Sequence, residues 1–207
     1  MKFQISFDNL SLEENLEMAR KVAQFSDMLE IGTLPILKNG AAAVEAFRKE
    51  FPDHTLFADT KIVDRGRDIA DLFAQSGADW ISVMGGTSKE VIHGACAKAH
   101  DMGKKVMLDI LDANSPAQAA LDSKTFGVDG IMFHQPFDKG ESLVFLEEWN
   151  MVRGNTTLPI FVSAKIGRET IDQIISLKPD GIVIGRAITD SDDPIAEAQF
   201  FYDKCKG

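Results

Sequence analysis

The sequence predicts an α/β protein folded as one (β/α)8 TIM barrel, and three observations carry the prediction. Eight short apolar runs recur along the 207 residues, helix-length segments alternate with them, and a charged or titratable residue closes seven of the eight runs. Short apolar runs read as parallel strands buried on both faces, and their alternation with helices implies a parallel sheet. Eight such units suggest closure into a barrel.

The first strand is Phe3–Phe7, and the periodicity of Leu12–Phe25 predicts a helix behind it. Met28–Ile31 is the second strand, followed by a helix over Ala41–Phe51. Leu56–Ala58 and Trp80–Met84 are the third and fourth, with helices over Ile69–Gln75 and Lys89–Met102. Val106–Ile110, Gly130–Phe133, Pro159–Val162 and Gly181–Ile184 complete the set, and Glu169–Leu177 is the helix between the last two. Gly77-Ala78-Asp79, Gly127-Val128-Asp129 and Pro179-Asp180-Gly181 punctuate the approach to strands four, six and eight, each ending a helix and turning straight into a strand. The unit length of about 26 residues is tight for a fold that typically has about 250. The rival is an open doubly wound sheet, which would carry fewer strands and a Gly-rich first turn. The first turn here, Asp8-Asn9-Leu10-Ser11, has no glycine. Composition does not shift between the halves and no linker interrupts the chain, so residues 1–207 read as one domain.

With 22 Lys and Arg against 32 Asp and Glu, the net charge of −10 argues against a general nucleic-acid binder. It leaves room for a small anionic substrate, since a few local cations and backbone N–H groups hold one phosphate. No apolar run approaches the roughly 18 residues of a membrane span. Residues 1–8 lack a signal peptide's apolar middle region, so a cytoplasmic location is expected. Cys96 and Cys205 match no metal spacing and are expected to be reduced, inert thiols.

Barrel active sites are built from the C-terminal ends of several strands. Here those ends supply Asp8, Glu30, Asp59 with Lys61, Asp109, His134, Lys165 and Arg186; only the fourth, Gly85-Gly86-Thr87, lacks a charge. Asp59-Thr60-Lys61-Ile62-Val63-Asp64 is the densest cluster. Alternation along a strand lets Asp59 and Lys61 point the same way and pair, and a lysine so held can stabilise an enediolate. The plain alternative is a structural ion pair, with Asp64 capping the next helix. Glu30 lies in an otherwise apolar strand and needs a cation, a donor or a metal. With Asp59 it would suit Mg²⁺; a salt bridge to Lys61 is the other reading. His134 is the one histidine of four on this rim, where it could exchange protons, with Asp109 orienting it or acting as base. A phosphate is expected at the last two turns, where Gly185-Arg186 offers N–H groups and a guanidinium.

On these residues the chain resembles the 3-hexulose-6-phosphate synthase and 3-keto-L-gulonate-6-phosphate decarboxylase group of the orotidine monophosphate decarboxylase suprafamily, barrels of the ribulose-phosphate-binding type. The likeness runs nearly end to end. It rests on Ser6-Phe7-Asp8, Glu30-Ile31-Gly32-Thr33, Ala58-Asp59-Thr60-Lys61-Ile62-Val63-Asp64, Gly77-Ala78-Asp79-Trp80, His134, Gly185-Arg186-Ala187-Ile188 and Asp193-Pro194. The resemblance implies a homodimer with composite sites, Mg²⁺ on Glu30 and Asp59, and an enediolate stabilised by Lys61. It further implies Asp64 reaching the partner's site, Asp8 on the substrate, His134 with Asp109 handling protons, and Arg186 with Gly185 on phosphate. Asp109 stands where the decarboxylases usually show Glu, and Phe137 where they show Arg, so the resemblance favours the synthase: reversible aldol addition of formaldehyde to D-ribulose 5-phosphate. Ala164-Lys165 replaces the family's Gly-Gly after the seventh strand, and the expectation is either that Lys165 lends the phosphate a charge or that the pocket takes a different ligand, such as another pentulose or hexulose phosphate. Decarboxylation of a 3-keto sugar-acid phosphate, or sugar-phosphate binding without turnover, are the alternatives.

Overall fold

The computed structural model describes residues 1–135 and 148–207. Phe137, singled out above, lies outside the described residues. Eight strands close in sequence order into a barrel: β1 (Lys2–Phe7), β2 (Met28–Ile31), β3 (Thr55–Ile62), β4 (Trp80–Met84), β5 (Lys105–Asp109), β6 (Gly130–His134), β7 (Ile160–Ser163) and β8 (Gly181–Ile184). Every neighbouring pair is parallel, β8 returning to β1 included. The expected (β/α)8 fold is the one observed.

Helices intervene where the sequence carries start and stop signals. Ser11, Ser88, Ser115 and Asp193 each accept an N–H of the first turn of α1 (Leu12–Val22), α5 (Lys89–Asp101), α6 (Pro116–Phe126) and α10 (Pro194–Lys206). Pro116 and Pro194 occupy first positions where no donor is lost. The remaining helices among the described residues are α2 (Thr33–Asn39), α3 (Ala41–Glu50), α4 (Gly66–Gln75), α7 (Trp149–Asn155), α8 (Ile171–Ser176) and α9 (Arg186–Thr189). The helix expected over Leu12–Phe25 tightens into a 3-10 turn at Ala23–Phe25. Among the described residues no helix is long and apolar enough to cross a membrane.

Strand alternation sorts the side chains into two packings. Phe3, Ile5, Phe7, Leu29, Ile31, Val106, Leu108 and their equivalents join the helices in one large cluster. Met28, Phe57, Met107, Met132, Phe161 and Val183, with Trp80, form a separate one filling the barrel. Gly181 makes that filling possible, because a Cβ there would lie 2.4 Å from the Phe161 ring. Two residues further along six of these seven strands, the same inward parity gives Glu30, Asp59, Ser82, Asp109, His134 and Ser163. The barrel is thus plugged with apolar side chains toward the strand starts and opens on polar ones at the strand ends.

The punctuation turns have a specific job at the other end. Asp27, Asp79, Asp129 and Asp180 each accept the N–H of Phe3, Leu56, Val106 and Ile160, at 2.8, 3.0, 2.8 and 2.8 Å. Each also donates its own N–H to that residue's carbonyl. The aspartate before every even strand therefore brackets the start of the odd strand beside it. A basic partner holds each carboxylate: Lys206, Arg48 with Lys104, His100 and Arg153.

Candidate active site

β3 runs to Ile62, four residues beyond the predicted end, and it does so through a bulge. Ala58 pairs with Ile81 and Ile62 with Val83, so Asp59, Thr60 and Lys61 together face Ser82. Lys61 takes a left-handed backbone conformation, φ 45°, uncommon for a side chain other than glycine. Asp59 and Lys61 do pair, as expected, with Nζ 2.9 Å from Asp59 Oδ2. Nζ also lies 3.1 Å from Asp109 Oδ2 at the end of β5. That same Oδ2 is 3.0 Å from His134 Nδ1 at the end of β6. Strands 3, 5 and 6 thereby contribute to one continuous array, Asp59–Lys61–Asp109–His134.

Each charge in the array is set by its neighbours. Burial works against the Lys61 ammonium, but the carboxylates of Asp59 and Asp109 outweigh it and hold the lysine well above its ordinary range. Asp109 is 2% exposed. Burial alone would favour its neutral form, yet His134, Lys61 and a hydrogen bond from Leu111 N at 3.0 Å keep it below the usual carboxylate range. His134 loses basicity to burial and regains more from Asp109, so its pKa is raised. Asp59 is further held by Thr33 Oγ1 at 2.6 Å and Ser82 Oγ at 2.9 Å, both donating.

Glu30 behaves differently. Gln4 Nε2 and Ser6 Oγ donate to its two oxygens from β1, at 2.5 and 2.7 Å. Among the described residues it has no ion pair, so the salt bridge to Lys61 considered from sequence does not form. Burial, with the negative field of Asp59 behind it, pushes the Glu30 carboxyl up to about 7. Two acids thus stand at the neighbouring ends of β2 and β3, and the charge of Asp59 makes Glu30 harder to ionise. Among the described residues no three Asp, Glu, His or Cys side chains gather as a metal cluster.

The remaining predicted residues fall around this centre. Asp8 follows β1, accepts Leu34 N at 2.8 Å, and has its pKa raised by desolvation. It explains Gly32, where a Cβ would lie 2.4 Å from the Asp8 carboxylate. Lys165 follows β7 and Arg186 follows β8; both are exposed, and Arg186 Nε is 2.7 Å from Asp190. Gly185 precedes α9. Asp64 is exposed beyond the bulge and accepts its neighbour Arg65's N–H at 2.7 Å. It does not cap α4, whose N-cap is Arg65. Gln4, Ser6, Thr33 and Ser82, the amide and hydroxyls that hold the two acids, carry no role predicted from sequence. Their signal was present: Gln4, Ser6 and Ser82 are polar residues at inward parity in apolar strands.

A closed parallel barrel that gathers an ammonium, an imidazole and several carboxylates at its strand ends has the build of an enzyme for acid–base chemistry. The particular kind follows from comparison. The chain belongs to the orotidine 5'-phosphate decarboxylase / HUMPS family, whose sequence profile matches residues 1–201. It is 30% identical to 3-hexulose-6-phosphate synthase 3 of Staphylococcus saprophyticus, with 100% of each chain covered. It is 31% identical to the 3-hexulose-6-phosphate synthase of Mycobacterium gastri, over 96% of this chain and 97% of that one. A crystal structure of 3-hexulose-6-phosphate synthase superposes with a TM-score of 0.92 at 31% identity, covering 99% of both chains. KGPDC of Streptococcus mutans, solved as a ligand complex, superposes with a TM-score of 0.90 over 99% of this chain and 97% of that one. At 22% identity that likeness is one of fold.

Proposed function

We propose that this chain is a carbon–carbon lyase on a sugar phosphate, of the 3-hexulose-6-phosphate synthase kind, joining formaldehyde to D-ribulose 5-phosphate by reversible aldol addition. The observation that carries the reading is the unbroken Asp59–Lys61–Asp109–His134 array. Aldol addition needs a base to take a proton from C1 of the ketose and a fixed positive charge beside the enediolate that results. With Nδ1 held on Asp109, His134 keeps Nε2 to move the proton, and the Asp109 carboxylate that raises its pKa makes the neutral imidazole a stronger base. Lys61, kept charged by two carboxylates, meets the oxyanion. The enediolate carbon then bonds to the formaldehyde carbon, and the new alkoxide takes a proton. Asp109 in place of the decarboxylases' usual Glu supports the synthase over decarboxylation.

Glu30 and Asp59 would hold Mg²⁺. The fit lies in their chemistry: two hard oxygen donors stand at neighbouring strand ends, and Asp59 helps to drive Glu30 up to about 7. A divalent cation there would relieve that repulsion and lend positive charge to the developing oxyanion. Asp8 would contact the sugar, and Lys165, Gly185 and Arg186 would meet its phosphate from adjacent strand ends. We place Asp64 in the site of a second copy, in a homodimer. Asp64 is exposed, as are two apolar side chains, its neighbour Val63 at 62% and Leu37 of α2 at 77%.

Incubation with ribulose 5-phosphate, formaldehyde and Mg²⁺ tests the reading. Formaldehyde should be consumed, and Lys61→Ala should slow consumption by about 10²–10³. No consumption above the Lys61→Ala control would sink it, and CO₂ release from a 3-keto sugar-acid phosphate would move it to the decarboxylase.

A further inference from the structure

We infer that Ser82 is a positioning residue for the lyase reaction, because it locks the β3 bulge that presents Asp59 and Lys61. This inference rests on the function proposed above. In the β3–β4 register three residues, Asp59, Thr60 and Lys61, stand against the single residue Ser82, and Ser82 bonds to each of them. Its Oγ donates to Asp59 Oδ1 at 2.9 Å. The same oxygen accepts Lys61 N at 2.9 Å. Its carbonyl accepts Thr60 Oγ1 at 2.7 Å.

The bulge needs such a partner. Extra residues in one strand leave backbone groups without ladder bonds, and an unpaired N–H away from water is costly. At Lys61, where the backbone is left-handed, the serine hydroxyl is what receives the N–H. One hydroxyl therefore fixes both ends of the D-x-K element at once: the carboxylate of Asp59 through its proton, the backbone of Lys61 through its lone pair. Ser82 is 1% exposed, so it acts through Asp59 and Lys61 and not on substrate. Alanine would leave the Lys61 N–H without an acceptor and take from Asp59 Oδ1 one of its two donors, the other being Lys61 Nζ at 3.1 Å. The ammonium would then lose its fixed place between Asp59 and Asp109.

Three variants separate the hydroxyl from the volume it occupies. Ser82→Ala removes it, while Ser82→Thr and Ser82→Val are matched in shape and differ in the hydroxyl. We expect Ser82→Ala and Ser82→Val to lose on the order of a hundredfold in kcat, the cost of a misplaced catalytic group, with KM for ribulose 5-phosphate within about threefold of the parent. Ser82→Thr should restore kcat to within about threefold, since it keeps the donor and acceptor. Amide hydrogen exchange at Lys61 gives a readout independent of turnover, and Ser82→Val should speed it relative to Ser82→Thr. Wild-type kcat in Ser82→Ala, equal losses in Ser82→Thr and Ser82→Val, or unchanged exchange at Lys61 would each overturn the inference. A parent enzyme that consumes no formaldehyde would instead sink the lyase reading, and the exchange measurement would then decide the role of Ser82 in the bulge.

Discussion

The two ends of this barrel use the same residue type for opposite purposes. At the strand starts, Asp27, Asp79, Asp129 and Asp180 each bracket a neighbouring strand and each meet a basic side chain. Burial works against ionisation of Asp27 and Asp79. Lys206 with Phe3 N outweighs it at Asp27, and Leu56 N with Lys104 and Arg48 outweighs it at Asp79, so both carboxyls lie below their ordinary range. At the strand ends Asp109 is likewise held below its ordinary range, by His134 and Lys61, but the acids around Asp59 crowd one another. Glu30 is driven up to about 7 and Asp8 is raised, while Lys61 is held in a backbone conformation that side chains rarely adopt. Satisfied aspartates stabilise; crowded ones, with local strain, mark the place where charge is kept ready for chemistry.

That contrast can be broken from either side. The largest effect is expected at Lys61, where alanine should remove about 10²–10³ of turnover. The fold should survive, because the strand-start brackets do not depend on it. Next comes Asp79→Ala, which orphans Leu56 N and takes the carboxylate from Arg48 and Lys104, and should cost about 1–3 kcal/mol of stability. Thermal melting checks it, at about 2–4 °C per kcal/mol for a chain of this size, with kcat of the surviving enzyme unchanged. A fall in kcat would break the division between the two ends. The smallest effect is at Glu30. Its folded pKa of about 7 lies above the unfolded value, so the folded state holds the extra proton and stability falls as pH rises through that window. Metal-free melts at about pH 5 and about pH 8 should differ more for the parent than for Glu30→Gln. Added Mg²⁺ should raise the parent's melting temperature and leave Glu30→Gln unmoved.

Most of the fold was legible because each strand is a short apolar run with a turn signal at its end. Met28–Ile31, Trp80–Met84 and Gly181–Ile184 fall where the apolar runs fall. β3 was not fully legible. Its polar end, Asp59-Thr60-Lys61, has the composition of a loop, and only pairing with β4 through Ser82 keeps it in the sheet. The candidate site residues could be read as a set because charge at a strand end is visible in one dimension. Which charges meet was not visible. Asp109 joins Lys61 to His134 across 48 and 25 residues of sequence, a closeness that exists only once the barrel closes. Of the brackets at the strand starts, Asp79, Asp129 and Asp180 were seen as punctuation alone and Asp27 not at all, since their partners lie one strand back.

The most direct test is proton exchange at C1 of ribulose 5-phosphate in D₂O without formaldehyde. If the array does the chemistry proposed here, the parent enzyme with Mg²⁺ will replace one C1 proton by deuterium, followed by NMR, and His134→Asn and Lys61→Ala will not. Exchange equally fast in both variants, or none in an enzyme that binds the sugar phosphate, would contradict the account.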